Sequence, residues 1–161
     1  MIRKDKKIQM IAFNKKSFYN YSIQEIIEAG IILYGWEVRS IRQKKVDITN
    51  SYITIKDKEV YVLEMNITPE KTVTTLKKSS DKKRPKKLLL KKNEILSISS
   101  YINQERCAVV VVSLYWKKNI CKIKIGIGKG KNKYDKRAKI KENEWRINKI
   151  RTLKNLNFML E

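Results

Sequence analysis

Residues 120–137 read ICKIKIGIGKGKNKYDKR. Cys121, Ile123, Ile125 and Ile127 alternate with Lys122 and Lys124. A period of two sends these sets to opposite faces of an extended chain, so the segment reads as a half-buried strand with a cationic outer face. After Ile127 the apolar side stops. Lys129, Lys131, Lys133, Lys136 and Arg137 follow, spaced by Gly128, Gly130, Asn132 and Tyr134. A folded body hands over here to an arm suited to a polyanion.

Working outward, residues 107–116 form a continuous apolar run rich in valine. The run is too short for a membrane and reads as a central strand buried on both sides. Lys117, Lys118 and Asn119 make a turn, and residues 120–127 pair back antiparallel. Residues 51–55 and 59–65 read as a hairpin joined at Lys56, Asp57 and Lys58, a turn without the usual glycine. Residues 18–33 suggest one long strand, although QEIIEAG also suits a helical turn. Gly35 breaks it, and residues 36–42 are a short helix candidate. Pro69 closes the hairpin. Residues 72–87 read as a charged loop, with nine Lys/Arg and one Asp between residues 76 and 92. Leu88, Leu89 and Leu90 end that loop and must pack. Asn93 is the expected N-cap of a helix running to about residue 104, with Ile95, Ile98 and Ile102 on one face.

These elements predict a mainly β fold, a small antiparallel OB-like β-barrel with one or two short helices. A β-sandwich is the alternative. Closing a barrel removes exposed edges, which matters in a sheet rich in Ile and Val. Three regions are expected: a basic N-terminal arm over residues 1–13, the barrel over 14–130 and a basic C-terminal tail over 131–161.

The 161-residue chain carries 38 Lys+Arg against 16 Asp+Glu, a net charge of +22. Such a charge weakens the compact state by self-repulsion and draws the chain to anionic partners. Nucleic acid is the first candidate and an anionic membrane surface the second. No apolar run approaches the roughly 20 residues of a membrane span, and the basic N-terminus lacks the apolar core of a secretory signal. A cytoplasmic protein is expected. Lys far outnumbers Arg, and Ile and Asn are abundant. Part of the charge therefore reflects A/T-rich codons, and Lys in place of Arg keeps phosphate attraction while losing bidentate recognition.

The chain has no histidine, which removes the commonest general base and metal ligand. There is no paired-carboxylate motif and no phosphate loop of the Walker type. Cys107 and Cys121 sit in strand-like apolar runs and read as buried hydrophobes. No enzyme, metal or cofactor is expected.

Between residues 117 and 161 there are 15 Lys/Arg and 4 Asp/Glu. Residues 139–157 contain no Pro or Gly, so helix is allowed. Their apolar residues, Ile140, Trp145, Ile147, Ile150, Leu153 and Leu156, spread over more than half of a helix circumference. A docked amphipathic helix has a tighter stripe. Two readings stay open: a segment disordered alone that becomes helical on an anionic scaffold, or a solvated terminal helix. Basic residues interleaved with Tyr34, Trp36, Tyr52, Tyr61, Tyr115, Trp116 and Tyr134 fit RNA binding, although strands favour aromatics on packing grounds alone.

Several segments together resemble SmpB, the SsrA-binding protein family. They are NKK at residues 14–16, EAGI at 28–31, GWEVRSIR at 35–42, DITNSY at 47–52, KLLL at 87–90, SLYWKK at 113–118, GIGKGKNKYDKR at 126–137 and IKENEW at 140–145. They occur in family order. The resemblance implies an OB-like barrel that binds the tRNA-like domain of tmRNA, with the small subunit of the ribosome and its RNA as second partner. It implies a monomeric adaptor in trans-translation and ribosome rescue, in which a stalled nascent chain is tagged for degradation. A generic basic RNA-binding or ribosomal protein is the alternative, which explains the charge but not the ordered motifs.

The resemblance also assigns residues. Asn14, Lys15, Glu28, Leu89, Lys91, Lys129, Gly130 and Lys131 match positions expected to bind tmRNA. Tyr134, Asp135, Lys136, Arg137 and Trp145 match the tail expected in the decoding centre. A glutamate on an RNA face suits hydrogen bonds from base amino or ribose hydroxyl groups, which give specificity. Four departures stand out. Lys91 replaces the usual Asn or His, Tyr134 replaces a His, Gly128 replaces an Ala, and Thr152-Leu153 replaces an apolar pair.

Overall fold

The computed structural model describes residues 8–69, 82–103 and 107–158. Its strands are β1 (Ile8–Phe13), β2 (Tyr21–Ile31), β3 (Val46–Asp47), β4 (Tyr52–Lys56), β5 (Glu59–Leu63), β6 (Asn66–Ile67), β7 (Lys86–Leu89), β8 (Cys107–Lys117) and β9 (Ile120–Gly130). Its helices are α1 (Lys15–Asn20), α2 (Gly35–Arg42), α3 (Lys92–Ile102) and α4 (Lys133–Phe158). The chain divides into two compact units, one ending at Gly130 and one beginning at Lys131.

The first unit is a closed antiparallel barrel. Around the ring β8 is followed by β4, β5, β7, β2 and β9, and β9 pairs again with β8. Strands β3 and β6 form a separate two-stranded ladder. The valine run forms the centre of β8, where residues 109 to 115 are all buried. Val109, Val111 and Leu114 join Ile123, Ile125, Ile127, Ile53, Val60, Val62 and Ile98 in one core. A register shift between Val111 and Ser113 changes which residues face inward, as one extra residue in a strand must. The alternation read in residues 121–127 is the inner face of β9.

One edge of β8 serves two neighbours. β1 pairs with its residues 113–117, and β4 meets it at Tyr52 opposite Val110. Asn14 fills the seam between them. Its backbone N–H donates to the Val112 carbonyl at 2.8 Å. Its side-chain Nδ2 donates to the carbonyls of Val111 at 2.9 Å and of Ile48 and Thr49 at 3.2 Å each. Its Oδ1 accepts the Ser17 N–H at 3.1 Å and caps α1. Asn14 is 3% exposed.

Turns explain the remaining topology. Asp57 and Lys58 have φ of 52° and 62°, the left-handed pair that a two-residue hairpin demands; here two side-chain-bearing residues adopt it in place of glycine. Helix α2 ends with Lys44 at φ 59°. Gly128 lies where β2 closes on β9; a Cβ there would stand 2.3 Å from the Ser22 carbonyl oxygen.

Several expectations need correction. Residues 8–13, placed in a basic arm, are strand β1, because the free edge of β8 beyond its meeting with β4 needs a partner. Residues 1–7 of that arm lie outside the described residues. The long strand over 18–33 starts at Tyr21, since the Asn14 cap converts residues 15–20 into α1. Helix α3 is capped by Lys91, not Asn93; the Lys91 N–H donates to Glu94 at 2.7 Å. In the charged loop expected over 72–87, residues 72–81 lie outside the described residues, and Lys86 and Lys87 belong to β7. Of the leucines, Leu88 is buried while Leu89 is 57% exposed.

The seam gives a stability prediction. Asn14→Ala leaves three carbonyls without this donor, two of them buried, and removes a helix cap, so it should cost about 3 kcal/mol in urea unfolding monitored by circular dichroism. Asn14→Asp keeps the cap acceptor but turns a carboxylate oxygen towards those carbonyl oxygens, and should cost at least as much. A loss under about 1 kcal/mol for alanine would show that the seam closes without this side chain.

Candidate nucleic-acid interface

The outer face of β2 carries Glu28 and Gly30, two residues apart on one side of the strand. Across the ladder Glu28 faces Lys124, and Gly30 faces Lys122 on β9 and Leu89 on β7. A Cβ on Gly30 would approach Leu89 Cβ to 3.3 Å. The bare backbone therefore leaves room for Leu89, whose side chain stands out from the sheet.

Glu28 is the organiser of this face. Its Oε2 accepts from the Tyr115 hydroxyl, and its Oε1 accepts from Lys122 and, at 3.3 Å, from Lys117. The Lys122 ammonium first, then the Tyr115 hydroxyl and Lys117, hold the Glu28 carboxyl down at about 2, against the opposing effect of burial. Tyr115 is 1% exposed; burial, then Glu28, pushes its hydroxyl well above the ordinary value. Lys124 lies over the Tyr115 ring at 5.6 Å. The carboxylate thus fixes two ammonium groups beside an exposed leucine. Its oxygens are already engaged, so Glu28 shapes the cationic face more than it offers free acceptors to a base. Lys117 and Lys122 were not among the expected binding residues, and Tyr115 was named only as one of the aromatics interleaved with basic residues. The alternation exposed Lys122 as an outer residue, but the cross-strand meeting with Glu28 depends on barrel closure.

The other expected residues separate into distinct places. Asn14 is buried in the seam, its side chain engaged by the Val111, Ile48 and Thr49 carbonyls and the Ser17 N–H. Lys15 is exposed at the start of α1, and Lys91 is exposed at the cap of α3. Lys129 and Gly130 are exposed at the end of β9, opposite Ser22 and Tyr21. That end of the β2–β9 ladder is six residues from Glu28 along β2, about 20 Å at roughly 3.3 Å per residue. Glu28 and Leu89 are therefore brought together, and Lys129 and Gly130 lie at the opposite end.

In the second unit, Lys131 is half-buried, and burial and the nearby Lys139 lower its pKa. Asp135 accepts the Asn132 N–H at 3.3 Å at the start of α4. Tyr134 is 81% exposed and Trp145 64%. Lys149 lies over the Trp145 ring at 5.1 Å. Arg137 is exposed and Lys136 half-buried. Over residues 133–153 of α4 none is buried, in keeping with the unfocused apolar pattern of its sequence.

A second charge cluster supports Leu89 from behind. Glu37, fully buried, receives Arg84 through Nε at 3.0 Å and through NH2. It also accepts the Tyr34 N–H at 2.7 Å. Lys86, also fully buried, donates to the carbonyls of Met65 at 3.0 Å and Arg84 at 3.1 Å and stands 3.8 Å from Glu37. Burial lowers the Lys86 pKa to about 8 while Glu37 opposes the shift. This cluster ties α2 to the start of β7, three residues before Leu89. Among the described residues no cluster of His, Cys, Asp and Glu fit to hold a metal is present, and no helix is long and apolar enough to cross a membrane. Cys121 is buried, which pushes its thiol up to about 12.

The Glu28 cluster predicts a pH effect. The folded carboxyl titrates below its ordinary value of 4.5, so the cluster stabilises the fold above that pH and loses its contribution as pH falls towards 2. The stability difference between wild type and Glu28→Gln, from urea titrations, should shrink across that window. A difference that stays constant with pH would contradict the cluster.

The chain matches the family model described as SmpB protein over residues 11–155. It is also similar to a solved structure described as "tmRNA-SmpB: a journey to the center of the bacterial ribosome". That similarity has 31% sequence identity and a TM-score of 0.61, and it covers 76% of this chain and 85% of that one. The family match runs from β1 through the barrel and into α4, so it includes the Glu28 face, the Lys129 end and the tail. On that span, this chain belongs to the SmpB protein family.

Proposed function

We propose that this chain is the tmRNA-binding adaptor of trans-translation. Its barrel binds the tRNA-like domain of tmRNA, and it brings that RNA to stalled ribosomes for tagging of the nascent chain and rescue. The observation that carries this reading is the outer face of β2, β7 and β9. There one carboxylate fixes Lys117 and Lys122 beside the exposed Leu89. Two ammonium groups held at a set spacing can match two phosphates of a folded RNA, and a projecting leucine can cover the face of a base or ribose. A loose basic surface attracts any polyanion; a fixed one selects by shape.

The division of labour follows the two units. Glu28, Leu89 and Lys91 serve tmRNA. Lys15, Lys129 and Gly130 of the first unit serve tmRNA as well, together with Lys131, the first residue of the second. Tyr134, Asp135, Lys136, Arg137 and Trp145 serve the decoding centre of the small subunit. Tyr134 keeps a stacking surface where a histidine would also have brought a proton. The adaptor acts by binding alone, as a cytoplasmic monomer. A generic basic RNA-binding role accounts for the charge of +22 but leaves the Glu28 cluster without a purpose.

Two experiments test this reading. Glu28→Gln removes a negative charge from an RNA-binding face. On charge alone, affinity for every RNA should rise; with the lysines released from their fixed positions, preference for the tRNA-like domain over bulk tRNA should fall about tenfold, roughly 1.4 kcal/mol. Filter binding at physiological salt measures both affinities, and an unchanged ratio rejects the role given to Glu28. Separately, a chain ending at Tyr134 should bind the tRNA-like domain within about twofold of wild type (under roughly 0.5 kcal/mol) and fail to support tagging in a stalled-ribosome translation assay. An equal fall in both would reject the division between barrel and tail.

A further inference from the structure

Beyond the surfaces assigned above lies an open cleft of about 710 Å³. Three elements converge on it. The last residue of α2 supplies Arg42, the start of β1 supplies Ile8 and Gln9, and the β8–β9 turn supplies Trp116, Lys118 and Asn119. Arg42 lies over the Trp116 ring at 5.8 Å from its centroid. Trp116 is half-buried and packs on the barrel core with part of its ring system. Arg42, Lys118, Gln9 and Asn119 are exposed.

Charge and chemistry in this cleft have one direction. It has no acidic lining residue. Lys117, one residue before Lys118, is committed to Glu28, whereas among the described residues no ion pair neutralises Lys118 or Arg42. Self-repulsion in so basic a chain disfavours leaving two cations beside one aromatic ring unless an anion joins them.

We infer that this cleft, with Trp116 as its floor and Arg42 and Lys118 at its rim, is a stacking site for one unpaired nucleotide of an RNA strand. The indole offers a base a π-face, and a guanidinium stacks on either ring system. Lys118 is placed for the phosphate. The Gln9 and Asn119 amides carry both donors and acceptors for a base edge. A cleft of this volume accommodates a small ligand, and a base must leave its own stack to enter it. An acidic peptide would satisfy the cations but leave the aromatic floor unused. The site rests on residues separate from those assigned to tmRNA and the decoding centre. The β8–β9 turn places it around the corner from Lys117, so a strand leaving the Glu28 face can reach it.

The test uses the full chain with 15N-labelled tryptophan and a single-stranded RNA tetranucleotide. The three indole N–H signals, from Trp36, Trp116 and Trp145, are assigned by Trp→Phe variants. The Trp116 signal should shift saturably with the tetranucleotide and several-fold less with an abasic tetramer of equal charge. The double variant Arg42→Gln, Lys118→Gln should weaken that response at least tenfold. Its preference for the tRNA-like domain over bulk tRNA should stay within twofold, which separates failure of this inference from failure of the tmRNA reading. An unshifted Trp116 signal overturns the inference. So does an equal response to the abasic tetramer, which marks a charge-only site fit for any polyanion or acidic peptide.

Discussion

Strand β8 offers one edge to two neighbours, and Asn14 occupies the place where they meet. β1 takes the far part of that edge and β4 the near part. Between them, the backbone carbonyls of Val111 and Val112 would face a gap in a dry interior. The Asn14 backbone and amide answer both, and the same amide reaches the Ile48 and Thr49 carbonyls that lead into β4. With its remaining oxygen Asn14 starts α1, which leads directly into β2. Strand closure, helix nucleation and the placement of the Glu28 strand thus share one side chain. An unpaired buried carbonyl costs more than a formed hydrogen bond returns, so the residue is constrained by what its absence would leave.

The scarce acidic residues follow a common design. Glu28 and Glu37 each gather two basic side chains, one at the surface and one in the interior. In a chain with so large a cationic excess, a carboxylate is the means by which particular cations acquire fixed positions. Glu37, Arg84 and Lys86 hold α2 against the strand that presents Leu89; Glu28 holds the lysines beside it. The interior cluster makes its contribution through full pairing, because an uncompensated buried charge is strongly destabilising.

What could be read in the residues was what period and local turn chemistry control. The alternation of residues 121–127, the valine run of β8 and the hairpin at Asp57-Lys58 each depend on near neighbours, and they carried the barrel. The ordered motifs carried the family. The strand at residues 8–13 was hidden because its six residues, IQMIAF, lie between basic stretches; its partner, the spare edge of β8, exists only in the closed barrel. Asn14 was assigned to RNA through the family resemblance, and its hydrogen-bond partners, up to 97 residues away in sequence, could not be read from its neighbours. Glu28 was marked through the family resemblance, but its three partners belong to β8 and β9 and are joined to it by register alone. The Trp116 cleft combines three elements that no sequence window spans.

Gly128 sets how near two strands can come. An added Cβ there would meet the Ser22 carbonyl oxygen at 2.3 Å and the carbonyl carbon at 2.8 Å. The obstruction is backbone, which cannot rotate aside as a side chain can. Glycine and the close approach of β2 depend on each other, so any side chain at this position requires β2 to withdraw as well. A substitution at 128 is therefore a change in two strands at once, and the size of this residue is dictated by its neighbour's backbone.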